Sequence, residues 1–190
     1  MNESEVRQLF VETGAILEGH FLLTSGLHSP LYVEKFQVLQ YPKHTEKLCA
    51  ALAERFKDDN IELVIGPVTG GIILAHEVGK HLDTRAIFTE RENGKMALRR
   101  GFVIEKGQRV LIVEDIVTTG GSVQEVVDVV RAQGGIPVAV GILVDRSGGK
   151  ADFGIPSQAL LHLTVPTYQP VSCPLCKDGV AITKRGSRKL

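Results

Sequence analysis

The sequence predicts a single α/β domain: a mostly parallel central sheet flanked by helices, with a small N-terminal hood. Three observations carry that expectation. Short apolar runs rich in β-branched residues, at 61–65, 110–113 and 136–144, read as buried strands. Two of them lead through a glycine-bearing turn into a segment of helical period. The length of 190 residues suits one domain with a real core. The expected layout is a hood segment at 1–40, a core sheet at 61–165 and a C-terminal tail at 166–190.

Composition narrows the function classes. Lys+Arg and Asp+Glu are 22 each, so the net charge is zero, unlike a dedicated nucleic-acid binder. There is no Trp and aromatics are 5%, so base-stacking platforms are scarce. No apolar run reaches membrane-spanning length and no signal-peptide pattern opens the chain. Three cysteines do not make a disulfide framework. A cytoplasmic protein is expected.

In chain order, residues 3–12 place Val6, Leu9 and Phe10 on one face of a short helix, with Ser4 near its start. Residues 21–33 read as two short strands around a turn punctuated by Gly26 and Pro30. Residues 42–57 form a helix with Pro42 in its first turn and Leu48, Ala51, Leu52 and Phe56 on the apolar face. Cys49 falls within it and reads as a small core residue. After strand 61–65, the turn Gly66-Pro67-Val68-Thr69-Gly70-Gly71 enters helix 72–82. It is not a nucleotide P-loop, because no Gly-Lys-Ser/Thr follows.

Strand 85–89 precedes a charged stretch, 90–102, interrupted by Gly94 and Gly101, which reads as an exposed hairpin or mobile flap. Gly134 and Gly135 stop the helix after 130. Strand 136–144 ends at Asp145-Arg146, where the arginine fork would face any ligand outside the strand's carboxyl end and suits a carboxylate. An Asp145–Arg146 salt bridge is the plain alternative. A last strand spans 158–163. Cys173-Pro174-Leu175-Cys176 is half of a zinc site whose other half the sequence does not offer, so it is read as structural. Lys184, Arg185, Arg188 and Lys189 are expected in a frayed tail.

The organising stretch is RVLIVEDIVTTGGSVQEVVDVV at 109–130. A strand delivers Glu114 and Asp115; a hydroxyl and glycine loop follows; then Val123, Val126, Val127 and Val130 recur at helical spacing. Glycines let backbone approach a ligand. A helix N-terminus favours phosphate, and Thr118, Thr119 and Ser122 add hydroxyl donors. Acids beside such a cradle can accept hydrogen bonds from sugar hydroxyls or hold hydrated Mg²⁺. Together they suggest a ribose phosphate. An ordinary turn capped by a hydroxyl is the alternative.

Val-Glu-Asp-Ile-Val-Thr-Thr-Gly-Gly-Ser resembles the phosphoribosyl diphosphate (PRPP) motif of type I phosphoribosyltransferases. The stretch GAILEGHFLLTSGLHSPLYVEK at 14–35 resembles the hood of the orotate phosphoribosyltransferases. The resemblance implies that family's fold and reaction, in which orotate and PRPP give orotidine 5′-monophosphate and diphosphate in pyrimidine synthesis. It also implies Mg²⁺, held mainly by PRPP and water rather than by direct protein ligands.

By position, Glu114 and Asp115 would contact the ribose, with Asp115 also counted as catalytic. Thr118, Thr119, Gly120, Gly121 and Ser122 would wrap the 5′-phosphate, with Ile116 and Val117 counted beside them as PRPP-binding. Thr69, Gly70 and Gly71 would bind the diphosphate. Thr118, Arg146, Tyr32 and Val33 would contact orotate, and His28 is either a donor in the hood turn or a surface residue. Lys95, and after it Arg91, would be the catalytic flap cations, lent across a homodimer. Two lysines common in relatives are absent, replaced by Thr24 and Gly70. A phosphoribosyltransferase for another base, or a PRPP-sensing regulator without catalysis, is the alternative.

Overall fold

The computed structural model describes residues 1–23 and 25–184. Thr24, Arg185, Arg188 and Lys189 lie outside them. Helix α1 (Glu3–Glu12) spans the expected residues and is capped by Asn2. The Asn2 side chain accepts from Glu5 N–H at 2.9 Å, and the Glu5 carboxylate accepts from Asn2 N–H at 2.8 Å. The hood strands β1 (Ile16–Leu22) and β2 (His28–Val33) pair antiparallel, so the first strand begins earlier than expected. The turn α2 (Phe36–Leu39) and helix α3 (Pro42–Ala53) lead to the core, α3 ending in a 3-10 turn at Glu54–Phe56.

The core then runs β3 (Leu63–Pro67), α4 (Gly70–His81), β4 (Arg85–Glu92), β5 (Lys95–Leu98), β6 (Arg109–Val117), α5 (Gly121–Ala132), β7 (Ile136–Asp145) and β8 (Ser157–His162). The six strands lie in the order β5-β4-β3-β6-β7-β8. Every neighbouring pair is parallel except the β4–β5 hairpin. That hairpin turns at Asn93-Gly94, both at positive φ, the conformation that a tight two-residue hairpin requires.

Side-chain alternation makes the sheet two-faced. Val64, Leu111 and Val113 point to the face covered by α1, α3 and α4. Leu63, Ile65, Val110 and Ile112 point to the face covered by α5, against Val123, Val126, Val127 and Val130. Because both faces are covered, the strands are continuous apolar runs. Helix α5 ends as expected: Gly134 takes φ +82°, Gly135 N–H bonds to Val130 C=O and Gly134 N–H to Arg131 C=O.

The tail folds back on the hood through α6 (Pro174–Lys177) and β9 (Thr183–Lys184). Strand β9 pairs parallel with β1, Leu22 opposite Lys184, so Lys184 belongs to a strand and not to a frayed end. The hood is therefore a three-stranded sheet, β2-β1-β9. Leu111 sits fully buried in the central strand. Leu111→Ala should cost about 2–5 kcal/mol, read as a lower denaturant midpoint at unchanged m value.

Candidate active site

The strand order reverses between β3 and β6, and ligands in such sheets bind outside the carboxyl ends of the strands at that point. Both glycine turns singled out in the sequence meet there. The loop after β6 forms a cup of about 60 Å³ lined by Glu114 and residues 116–123. That is room for roughly four to six water-sized groups, about the size of a phosphate. Gly120 holds the bend at φ +81°, and a Cβ there would press on Phe153 at 2.7 Å. No side chain caps α5. Thr118, Thr119 and Ser122 do not serve as its cap, and the helix presents its first N–H groups to the cup. The capped-turn alternative fails.

Glu114 and Asp115 are both buried, Glu114 lining the cup, and the Glu114 carboxylate accepts a bond from Asp115 N–H at 3.0 Å. Burial, and then the Asp115 charge, push the Glu114 pKa up to about 8. Asp115 receives an ion pair. Lys35, just beyond β2, places its Nζ at 2.9 and 2.8 Å from the two carboxylate oxygens.

The turn after β3 closes the other side. A Cβ on Gly66 would collide with the backbone of Gly71, and a Cβ on Gly70 would fall inside the Asp115 carboxylate. Gly70 is thus required by the packing of the acid, and a lysine at this position would displace it. The Val68–Thr69 peptide is cis. Gly70 and Gly71 open α4, so a second helix N-terminus faces the crevice.

Arg146 follows β7, and its backbone N–H bonds to Val117 C=O at 2.8 Å, beside the cup. The expected alternative, an Asp145–Arg146 salt bridge, does not form: Asp145 instead accepts from Ser147 N–H at 2.7 Å. Among the described residues no carboxylate pairs with Arg146, and its buried Nε has no hydrogen-bond partner. Burial pulls its pKa below the ordinary arginine value, opposed by the nearby Tyr32. Tyr32 is half-buried, its ring 5.6 Å from that of Phe21. Val33 points the other way and is buried in the core, so its side chain is not a ligand contact. His28 is neither a surface residue nor directed at the crevice. It is buried against His20, Cys173 and Cys176.

The flap leaves the sheet at this same edge, since Thr89 on β4 pairs with Pro67 on β3. Arg91 is held against α5 by Glu125 at 3.2 Å. Arg99 and Arg100 pair with Glu92 and Glu90. Lys95 is exposed and is the one flap cation without an ion pair among the described residues.

A sheet switch point with a phosphate cup, a buried acidic pair and a second glycine turn defines a phosphoribosyltransferase site. The family model of the phosphoribosyl transferase domain matches residues 37–152. The orotate phosphoribosyltransferase of Desulforamulus reducens is 53% identical over 190 residues, 100% of both chains. The crystal structure of orotate phosphoribosyltransferase from Aeropyrum pernix superposes with a TM-score of 0.70 at 26% identity, covering 83% of this chain and 93% of that one. An adenine phosphoribosyltransferase from Rhodothermus marinus superposes at 0.64 with 25% identity, covering 85% and 100%. This chain belongs to the orotate phosphoribosyltransferase family.

Sequence reasoning missed Lys35. It lies at the end of the hood motif, 80 residues from the acid it meets, and only the fold brings them together. The Glu114 shift has a measurable sign. The folded state holds this proton more tightly than the unfolded chain does. The stabilisation is full below pH 4.5 and is lost as pH rises towards about 8, at up to about 1.4 kcal/mol per pH unit. Denaturation between pH 5 and 8 should show that slope, and Glu114→Gln should flatten it.

Proposed function

We propose that this chain transfers the 5-phosphoribosyl group of PRPP to orotate, releasing diphosphate, with Arg146 as the residue that selects the base. The observation that carries the choice is the half-buried guanidinium beside Tyr32, with no carboxylate paired to it among the described residues. Orotate supplies a carboxylate; uracil and the purines do not. An Arg fork matches it with two parallel bonds. Thr118 at the near edge of the cup and Tyr32 complete the base contacts.

The phosphate cup takes the 5′-phosphate, Glu114 and Asp115 accept from the ribose hydroxyls, and the N–H groups at Thr69, Gly70 and Gly71 take the diphosphate. Orotate is already anionic, so the chain needs no covalent nucleophile. Its residues hold the two substrates in line, an effect worth at most about 7–11 kcal/mol. Lys95 neutralises the leaving diphosphate, lent across a homodimer, while Arg91 anchors the flap to Glu125. Lys35 supplies the ammonium that Thr24 and Gly70 lack and holds Asp115 in place, which removes the best argument for a non-catalytic PRPP sensor.

Mg²⁺ accompanies the diphosphate. Asp115 is engaged by Lys35 and burial favours the proton on Glu114, so neither acid is poised as a direct ligand. They suit contact through sugar hydroxyls and water, which magnesium retains. When bound, the ion screens the charge of the leaving group. The proposed setting is cytoplasmic. Among the described residues no helix is long and apolar enough to cross a membrane.

Purified protein with PRPP, Mg²⁺ and a panel of bases should consume orotate and leave uracil and adenine untouched. Turnover of another base, or PRPP binding without turnover, would contradict the proposal. Arg146→Ala should raise the KM for orotate about 10- to 100-fold with little change for PRPP. Lys95→Ala should lower kcat by about 10²–10³, with both substrates still bound in calorimetry. Lys35→Met should weaken PRPP about tenfold and spare orotate.

A further inference from the structure

The tail beyond the core poses a packing problem. Between Thr164 and Lys184 the only buried side chain is Cys173. Val171, Val180 and Ile182 are exposed. Apolar burial therefore does little to hold this segment, yet it closes the hood sheet through β9 and through the backbone bridge between His28 and Tyr168. Its one buried side chain points at two buried histidines of the hood, one on β1 and one on β2.

The geometry points to a structural zinc site formed by His20, His28, Cys173 and Cys176, clamping the tail onto the hood. The four donor atoms lie within 4.8 Å of one another. His20 Nε2 is 2.9 Å from His28 Nδ1, 3.6 Å from Cys173 Sγ and 3.8 Å from Cys176 Sγ; Cys176 Sγ is 3.3 Å from His28 Nδ1. Tetrahedral zinc with ordinary Zn–N and Zn–S bonds requires edges of about 3.3 Å between nitrogens, 3.6 Å between nitrogen and sulfur and 3.8 Å between sulfurs. These four separations lie within about 0.4 Å of those edges, and the longest, 4.8 Å, must shorten by about 1 Å when the metal binds.

The hydrogen bonding behind the ligands fits as well. His20 Nδ1 donates to Val180 C=O at 2.7 Å, which turns the Nε2 lone pair towards the cluster, as metal-ligating histidines are oriented. Two thiolates and two imidazoles suit zinc rather than magnesium or calcium. Both cysteines are free thiols here. Binding converts them to thiolates, with two protons released to solvent. All four positions are filled by protein, so the site is closed and structural, not catalytic. Its consequence for the active site is positional, because β2 carries His28 and Tyr32 four residues apart. The metal fixes one end of the strand whose other end presents the base contact.

The full-length protein, purified without added metal and desalted, should contain close to one zinc per chain by elemental analysis. Replacement by Co²⁺ should give thiolate-to-cobalt charge transfer and the intense visible bands of a tetrahedral ion. Chelation should expose two thiols to alkylation, with Cys49, buried in α3, remaining protected, and should open the tail to proteolysis. Cys176→Ser, at the exposed ligand, should lose zinc and the charge-transfer bands while keeping native circular dichroism. If that variant does not fold, the chelation and cobalt measurements on the wild-type chain decide alone. Folded wild-type protein that neither contains zinc nor takes up zinc or Co²⁺ in stoichiometric amount would overturn the site. So would thiols equally reactive before and after chelation.

Discussion

Two carboxylates buried side by side at the carboxyl end of the central strand constrain everything around them. Glu114 and Asp115 stay in that position only because their surroundings are built for it. Lys35 reaches in from the hood to pair with Asp115. Gly70 leaves out the one carbon that would fill the space of the Asp115 carboxylate. Glu114, without a cation of its own, holds its proton to about pH 8. Burying charge without a partner is expensive, so the acid pair ties the hood, the diphosphate turn and the PRPP loop into one unit. Loss of any of these neighbours leaves the acids unsupported.

The same arrangement separates general chemistry from specificity. The fold is shared with a protein named for another base, as the superposition on an adenine phosphoribosyltransferase shows. The base contacts proposed for this chain lie elsewhere, in the hood and at the arginine after β7. The hood is held to the core by Lys35 at one end. At the other it joins the tail by the β1–β9 pairing and by the cluster of His20, His28, Cys173 and Cys176. Tyr32 lies between these two fastenings. The orientation of Tyr32 is therefore set by polar and ionic ties at both ends of one short strand.

Much of this was legible in the chain because local chemistry dictates it. The strand, acid pair and glycine loop at 110–122 follow from β-branched content, burial and the conformational demands of Gly120. The glycine stop of α5 is written in Gly134 and Gly135, and the hairpin in Asn93-Gly94. What escaped depends on long-range approach. Lys35 reads as an ordinary surface lysine until the fold sets it beside Asp115. His28 reads as a turn residue, and Cys173-Pro174-Leu175-Cys176 as an isolated half-site, until β1, β2 and the tail converge. The resemblance assigns Val33 to the ligand, but strand alternation turns it into the core while Tyr32 faces out. A one-dimensional reading finds partners a few residues apart, whereas these partners are separated by 80 to 156 residues.

On the proposed function, the buried acid Glu114 gives up its proton when the ribose hydroxyls arrive to donate to its carboxylate. Calorimetry of PRPP binding at pH 7, in buffers of differing ionisation enthalpy, counts the protons released. Subtracting the count for Glu114→Gln removes the contribution of PRPP itself. The predicted difference is close to one proton per chain. Equal release from both proteins would contradict it, and would mean that Glu114 is already ionised before the ligand binds or plays no part in holding the ribose.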